Sequence, residues 1–215
     1  MMTSRDSRRM SKDWTGNKKS VFATLGASSH SKQERESNDF YATDPVAIDR
    51  LASKFDIPHK VWECACGKGH LSERLKSLGH DVYSTDIIDR GYSQFDGVLD
   101  FLNPLFYPHE NDRCVLTNPP FKFLSEFVLN ALEWLPEGGY ACFFLKTTAI
   151  ESRGRYERIF KNCPPLYIFQ FIDRILCAKN GEFENARENL GAGAQAYAWF
   201  VWRKGYQGKP QLDWI

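Results

Sequence analysis

Apolar and polar positions follow two different periods along this chain, and these periods divide it into strands and helices. Short runs in which almost every residue is apolar predict buried strands, whereas apolar residues three or four positions apart predict helices. The predicted strands span residues 61–66, 81–85, 97–101, 114–117, 140–146, 166–175 and 196–203. The predicted helices span residues 45–56, 70–78, 123–135 and 152–161.

The order of these elements predicts the fold class. Strands and helices alternate through most of the chain, which is typical of an α/β protein with a parallel sheet and helices on both faces. The last two strands have little helix between them, so we expect them to pair antiparallel. We therefore predict a seven-stranded, mostly parallel sheet with an antiparallel edge strand.

Residues 1–37 lack this periodicity. They are rich in Ser, Lys and Arg and carry a net charge of +4, whereas the whole chain carries +1. Because such a segment cannot bury enough apolar surface to fold, we predict a disordered basic N-terminal tail. Residues 38–215 are predicted to form a single domain. The near-neutral total excludes a protein whose overall charge alone would attract nucleic acid.

The cysteines indicate the compartment. Five of the six lie in or beside apolar, strand-like runs, and their spacing fits neither a zinc site nor a disulfide framework. Buried free thiols favour a cytoplasmic location, and no metal is expected. No apolar run approaches the ~20 residues that would span a bilayer, so no membrane partner is expected. The cysteines are Cys64, Cys66, Cys114, Cys142, Cys163 and Cys177.

A glycine-rich turn follows the first strand and indicates a nucleoside-type cofactor. In the stretch ECACGKG, Gly67 and Gly69 permit a sharp turn and a close approach of backbone to ligand. Asp86 and Asp100 end the next two strands, where carboxylates can bind a ribose diol and an adenine amine. Glu63 opens the loop, and an acid there favours the cationic S-adenosylmethionine over a pyrophosphate.

The stretch LTNPPF ends the fourth strand abruptly. Proline cannot continue a strand, so Asn118, Pro119, Pro120 and Phe121 are expected at its tip, beside the cofactor turn. The Asn118 side-chain oxygen and the Pro119 carbonyl can accept two hydrogens from an amine. Phe121 offers a flat face for a base swung out of its stack.

Here the sequence resembles the amino-group methyltransferases that act on adenine in nucleic acid, especially the small enzymes of phages and prophages. Their (Asn/Asp/Ser)-Pro-Pro-(Tyr/Phe/Trp) motif is matched by residues 118–121, and their cofactor loop by residues 63–69. Residues 38–45 (NDFYATDP) resemble a segment that touches the methionine part of the cofactor in that family. The resemblance spans about residues 38–215.

The resemblance implies a Rossmann-like class I methyltransferase fold and an S-adenosylmethionine-dependent enzyme that methylates the N6 amine of adenine in DNA. The implied catalytic residues are Asn118, Pro119, Pro120 and Phe121. The implied cofactor-binding residues are Tyr41, Thr43, Glu63, Cys64, Gly67, Gly69, Asp86, Ile87, Asp100, Phe101 and Asn118. Arg153, Arg155 and Arg174 are candidates for substrate contact, through the phosphates for the first two.

Three other functions remain open at this point. Enzymes that methylate adenine N6 or guanine N2 in RNA share the Asn-Pro-Pro-Phe motif. Protein glutamine methylation is a further alternative, although it favours Tyr at the fourth position. A non-catalytic protein that binds S-adenosylmethionine or DNA is the last, and the intact Asn118 argues against it.

Overall fold

The computed structural model of this protein describes residues 40–103, 113–179, 181–183 and 195–215. The tail predicted for residues 1–37 lies outside these ranges. The strands are β1 (Tyr41–Thr43), β2 (Lys60–Glu63), β3 (Asp81–Asp86), β4 (Gly97–Val98), β5 (Cys114–Thr117), β6 (Tyr140–Lys146), β7 (Tyr167–Gln170), β8 (Cys177–Lys179), β9 (Tyr197–Arg203) and β10 (Gln211–Trp214). The helices are α1 (Val46–Ala52), α2 (His70–Ser77), α3 (Leu124–Trp134) and the single turn α4 (Arg153–Arg155).

Eight strands form one sheet in the order β10-β7-β9-β6-β5-β2-β3-β4. β9 runs antiparallel to β6 and β7, and the other neighbouring pairs are parallel. The predicted α/β class is therefore confirmed, as is the antiparallel pairing of the last two predicted strands. The sheet has eight strands rather than seven because β10 adds outside β7.

A second, two-stranded sheet pairs β1 with β8 in antiparallel register, Tyr41 opposite Lys179 and Thr43 opposite Cys177. A backbone bond of 3.0 Å from Asp44 N to Leu176 O extends this pairing. The sequence did not predict β1, β8 or β10. Each has only three or four residues, so it lacks room for a period and forms because a partner strand is there.

The large sheet buries an apolar layer on each face. Successive side chains of a strand point to opposite faces, so Phe144 packs with α1 and α2 while Phe143 packs with α3. The predicted core positions Trp199 and Trp202 are confirmed, with exposures of 0% and 1%. Their indole nitrogens donate to the Ala47 and Cys163 carbonyls, at 2.8 and 2.9 Å.

Several predicted elements are shorter in the structure. The strand predicted over 97–101 spans only Gly97–Val98, because the Asp100 carboxylate accepts from the Leu102 N–H and turns the chain. The helix predicted over 152–161 is α-helical only at Arg153–Arg155 and continues as a π-helical turn, Tyr156–Phe160. All six cysteines are free. No helix within the described ranges is long and apolar enough to cross a membrane.

Candidate active site

A cavity that is open to solvent lies at the carboxyl ends of β2, β3 and β5. Ligands of open α/β sheets bind at this edge, because the loops that follow parallel strands all begin there. Ten of the predicted site residues line it: Tyr41, Thr43, Glu63, Cys64, Asp86, Ile87, Asp100, Phe101, Asn118 and Pro120. The fold thus gathers residues that are up to 79 positions apart in sequence.

The glycine turn after β2 has the backbone geometry that glycine favours. Gly67 and Gly69 have φ of +56° and +80°. A Cβ at Gly67 would overlap the Phe40 ring, and one at Gly69 would overlap the Tyr92 ring. Both glycines are therefore required by backbone conformation and by the close packing of an aromatic ring against each Cα.

Asp86 holds this turn in place. Its Oδ2 accepts from the Gly67 N–H at 2.9 Å, and its Oδ1 accepts from the Ile88 N–H at 3.1 Å. The side chain is 6% exposed, yet it lines the cavity. Because each carboxylate oxygen has two lone pairs, Asp86 can shape the loop and still accept from a ligand hydroxyl.

Glu63 is a buried acid at the base of the cavity, with 2% exposure. Ser72 donates to its Oε2, and Ser72 Oγ lies 2.8 Å from Ser84 Oγ. Burial raises the pKa of Glu63 to about 8, although the Ser72 hydrogen bonds oppose this. Burial therefore favours the neutral, protonated form of this carboxyl at neutral pH.

Within the part of the chain that the structure describes, one hydrogen bond holds the Asn118 side chain. Its Nδ2 donates to the Tyr41 carbonyl oxygen at 3.0 Å. A carbonyl can only accept, so the amide NH₂ faces Tyr41, and the amide oxygen keeps its capacity to accept. β1, which the sequence did not predict, therefore fixes the orientation of Asn118, the residue on which the predicted chemistry depends.

Phe121 lies beside the cavity and is half-buried. Its ring stacks on Tyr197 with a centroid distance of 6.4 Å and an interplanar angle of 26°. The Lys146 ammonium lies 5.1 Å from the same ring centroid. Phe121 is thus supported by the carboxyl end of β6 and the first residue of β9.

The three predicted arginines lie apart from the cavity walls. The Arg155 guanidinium donates to the Ala149 and Thr148 carbonyls, at 2.6 and 3.1 Å, and so stabilises the turn after β6. Arg153 and Arg174 are exposed. Their contact with substrate, and that of Arg155, stays a prediction.

Twelve of the lining residues were not predicted, and those with aromatic or basic side chains are Phe40, His70, Arg90, Lys122, Phe123 and Phe127. The Arg90 guanidinium lies 4.5 Å from the centroid of the Phe40 ring. Burial lowers the pKa of His70, and Lys68 lowers it further. Arg90 follows β3 in a segment without apolar period, so nothing in the sequence distinguished it from other surface arginines.

No known family profile matches the sequence, and no curated protein sequence matches it significantly. Solved structures do match. A predicted O-methyltransferase of Agrobacterium tumefaciens is 13% identical over 80% of this chain and 85% of its own, with a TM-score of 0.52. A Listeria monocytogenes protein assigned to the class I S-adenosylmethionine-dependent methyltransferases is 14% identical over 80% of this chain, with a TM-score of 0.50. This chain spans 62% of the length of the Listeria protein.

The strand order and these likenesses agree. The chain has the Rossmann-like fold of the class I methyltransferases. A Lactococcus lactis protein described as a hemolysin also matches, at 11% identity over 79% of this chain and 91% of its own, with a TM-score of 0.54. Because neighbours of different description share the fold, the chemistry of this protein must be argued from its site.

Proposed function

We propose that this protein is an S-adenosylmethionine-dependent methyltransferase that methylates the N6 amine of adenine in DNA. The observation that carries the proposal is the orientation of Asn118, whose amide NH₂ is bound to the Tyr41 carbonyl. Asn118 lines the cavity beside a Pro-Pro turn, and its amide oxygen is suited to accept a hydrogen from a substrate amine. The likeness to the Listeria and Agrobacterium methyltransferases favours methyl transfer as the reaction class.

The cavity has the donor set that this cofactor needs. Glu63, Asp86 and Asp100 supply acceptors for an ammonium group, a ribose diol and an adenine amine, at three successive strand ends. The Phe40 ring, which packs against Gly67, lines the same cavity. Bound S-adenosylmethionine would supply the electrophilic methyl group.

The residues of the motif then act on the substrate nitrogen. The exocyclic amine of adenine is a weak nucleophile because its lone pair is delocalised into the ring. Asn118 Oδ1 and the Pro119 carbonyl accept its two hydrogens, favour a pyramidal nitrogen and stabilise the positive charge that develops on it. The new C–N bond would form as the methyl–sulfonium bond breaks, with the electron pair kept by the sulfur, and the nitrogen would then release one proton to solvent. The two prolines hold the Pro119 carbonyl rigidly, so little reorganisation is needed.

DNA is proposed as the substrate because of the resemblance and the surroundings of Phe121. A ring supported from behind by Tyr197 can receive a base that has left the stack. The exposed Arg153 and Arg174 would contact phosphates outside the cavity. An RNA base is the second candidate, since the same amine chemistry suits adenine N6 or guanine N2 in RNA.

One experiment separates these functions. Methyl transfer from labelled S-adenosylmethionine is measured in parallel with duplex DNA, structured RNA and protein, and the nucleosides are identified by mass spectrometry. N6-methyladenosine in its deoxy form supports the proposal, and the ribose form supports the RNA alternative. Binding of S-adenosylmethionine with no transfer to any acceptor would instead identify a non-catalytic binding protein.

A further inference from the structure

We propose that Arg90 binds the carboxylate of the cofactor's amino-acid part, and that Phe40 positions the guanidinium for this contact. The inference rests on the proposed function, because the carboxylate belongs to S-adenosylmethionine. Arg90 is the one arginine among the described residues that line the cavity.

Arg90 has an unsatisfied hydrogen-bond donor. Its Nε is buried and has no hydrogen-bond partner among the described residues. Leaving a buried donor of a charged group unpaired destabilises the folded state, so folded proteins rarely do so unless a ligand satisfies it. A guanidinium presents donors in a planar fork, which fits the two oxygens of a carboxylate.

In the described part of the chain, Arg90 is held by an aromatic ring and not by an ion pair. None of the ion pairs within the described ranges includes it, so no acidic side chain neutralises it there. Instead its guanidinium lies 4.5 Å from the Phe40 ring centroid, and Phe40 itself lies against Gly67. A ring face fixes the position of a guanidinium without using any of its N–H groups. The arrangement leaves those donors for an anion.

Charge balance in the cavity also requires a cation. Asp86 and Asp100 suit the hydroxyl and amine groups of S-adenosylmethionine, but their carboxylates would repel its carboxylate, and the protonated Glu63 offers that group no positive charge. Phe40, which holds the Arg90 guanidinium, lies against Gly67 and belongs to residues 38–45, the segment that the family resemblance places near the methionine part. Lys122, the other cavity cation found by the structure, adjoins the Asn-Pro-Pro-Phe motif and suits the substrate side.

The test uses two ligands that differ only in the carboxylate. S-adenosylmethionine and its decarboxylated form are titrated by calorimetry against the full chain and three variants: Arg90→Gln, Arg90→Lys and Phe40→Leu. Arg74→Gln is the matched control, because Arg74 pairs with Asp49 outside the cavity lining.

We expect the parent to bind S-adenosylmethionine about 10- to 100-fold more tightly than the decarboxylated ligand, the factor typical of a charge-assisted hydrogen bond. Arg90→Gln should remove this preference, and Arg90→Lys should retain part of it. Phe40→Leu should reduce it, and Arg74→Gln should leave it unchanged. A general folding defect would weaken the binding of both ligands alike, so the ratio of the two affinities reports the contact between Arg90 and the carboxylate.

Two results would overturn the proposal. One is a preference that survives in Arg90→Gln, and the other is a parent that does not distinguish the two ligands. Failure of the parent to bind either ligand would overturn the proposed cofactor as well. Binding of both with equal affinity would overturn the role of Arg90 and leave the proposed methyltransferase standing.

Discussion

The Asn118–Tyr41 contact leads to a prediction about the difference between an amide and a carboxylate. In Asn118→Asp, an oxygen replaces the N–H that lies 3.0 Å from the Tyr41 carbonyl oxygen. Two acceptors then face each other, and the Tyr41 oxygen loses its partner. A lost hydrogen bond and an unpaired, partly buried acceptor together amount to about 1–3 kcal/mol of folding free energy near pH 8.

The sign of the pH dependence follows from the same contact. The folded state favours the protonated form of the introduced carboxyl, because only that form donates to Tyr41. Its folded pKa should therefore exceed the ordinary value of about 3.9. The contact's contribution to stability is then present at low pH and is lost as pH rises through the folded pKa. Relative to the parent, Asn118→Asp should become less stable and slower as pH rises.

Two variants provide the comparison. Asn118→Ala should bind S-adenosylmethionine almost normally yet transfer methyl groups about 10²–10³-fold more slowly, without the added pH dependence. Asn130→Asp is the matched control, because Asn130 Nδ2 donates to the Phe101 carbonyl at 3.3 Å and lies outside the catalytic motif. It should share the loss of stability and keep more of the rate. Urea unfolding and single-turnover assays between about pH 5 and 8.5 measure both quantities. If Asn118→Asp matched the parent in both at high pH, the Tyr41 contact would not orient the amide.

Three further predictions test the cofactor turn. Gly67→Ala should be unstable and bind the cofactor poorly, because its Cβ would overlap the Phe40 ring. Gly79→Ala is the control for backbone strain, because Gly79 has φ of +90° but open space around its Cα. Equal losses of stability for the two variants in thermal unfolding would contradict the packing argument. The pKa of Glu63 is raised to about 8, so the free energy of unfolding should fall as pH rises from about 4.5 toward 8. Glu63→Gln should flatten that fall in urea titrations at pH 5, 7 and 9. If the variant and the parent lost stability in parallel, Glu63 would be excluded as the source of the pH dependence. Asp86→Ala should weaken S-adenosylmethionine binding by about 1–3 kcal/mol in calorimetry, because it releases the Gly67 N–H, and unchanged affinity in a folded variant would remove Asp86 from the site.

The sequence alone determined the elements whose signals are local. Long apolar runs such as β6, and the amphipathic spacing of α2 and α3, define structure within one segment, so their bounds were predicted within about a turn. The positions of Gly67 and of the Asn118 motif could also be predicted from the sequence. A glycine turn or a Pro-Pro strand end restricts the backbone wherever it occurs.

Only the tertiary structure decided which side chains meet. The β1–β8 pair, the β10 edge and the Arg90–Phe40 contact each involve at least one segment without an apolar period. Their energy comes from partners far along the chain, which a local pattern cannot encode. The motif by itself allows Asp at position 118, because a carboxylate also accepts hydrogens. We expect the Tyr41 carbonyl to make Asp a pH-dependent defect in this protein, since the group that Asn118 offers to Tyr41 is its N–H donor.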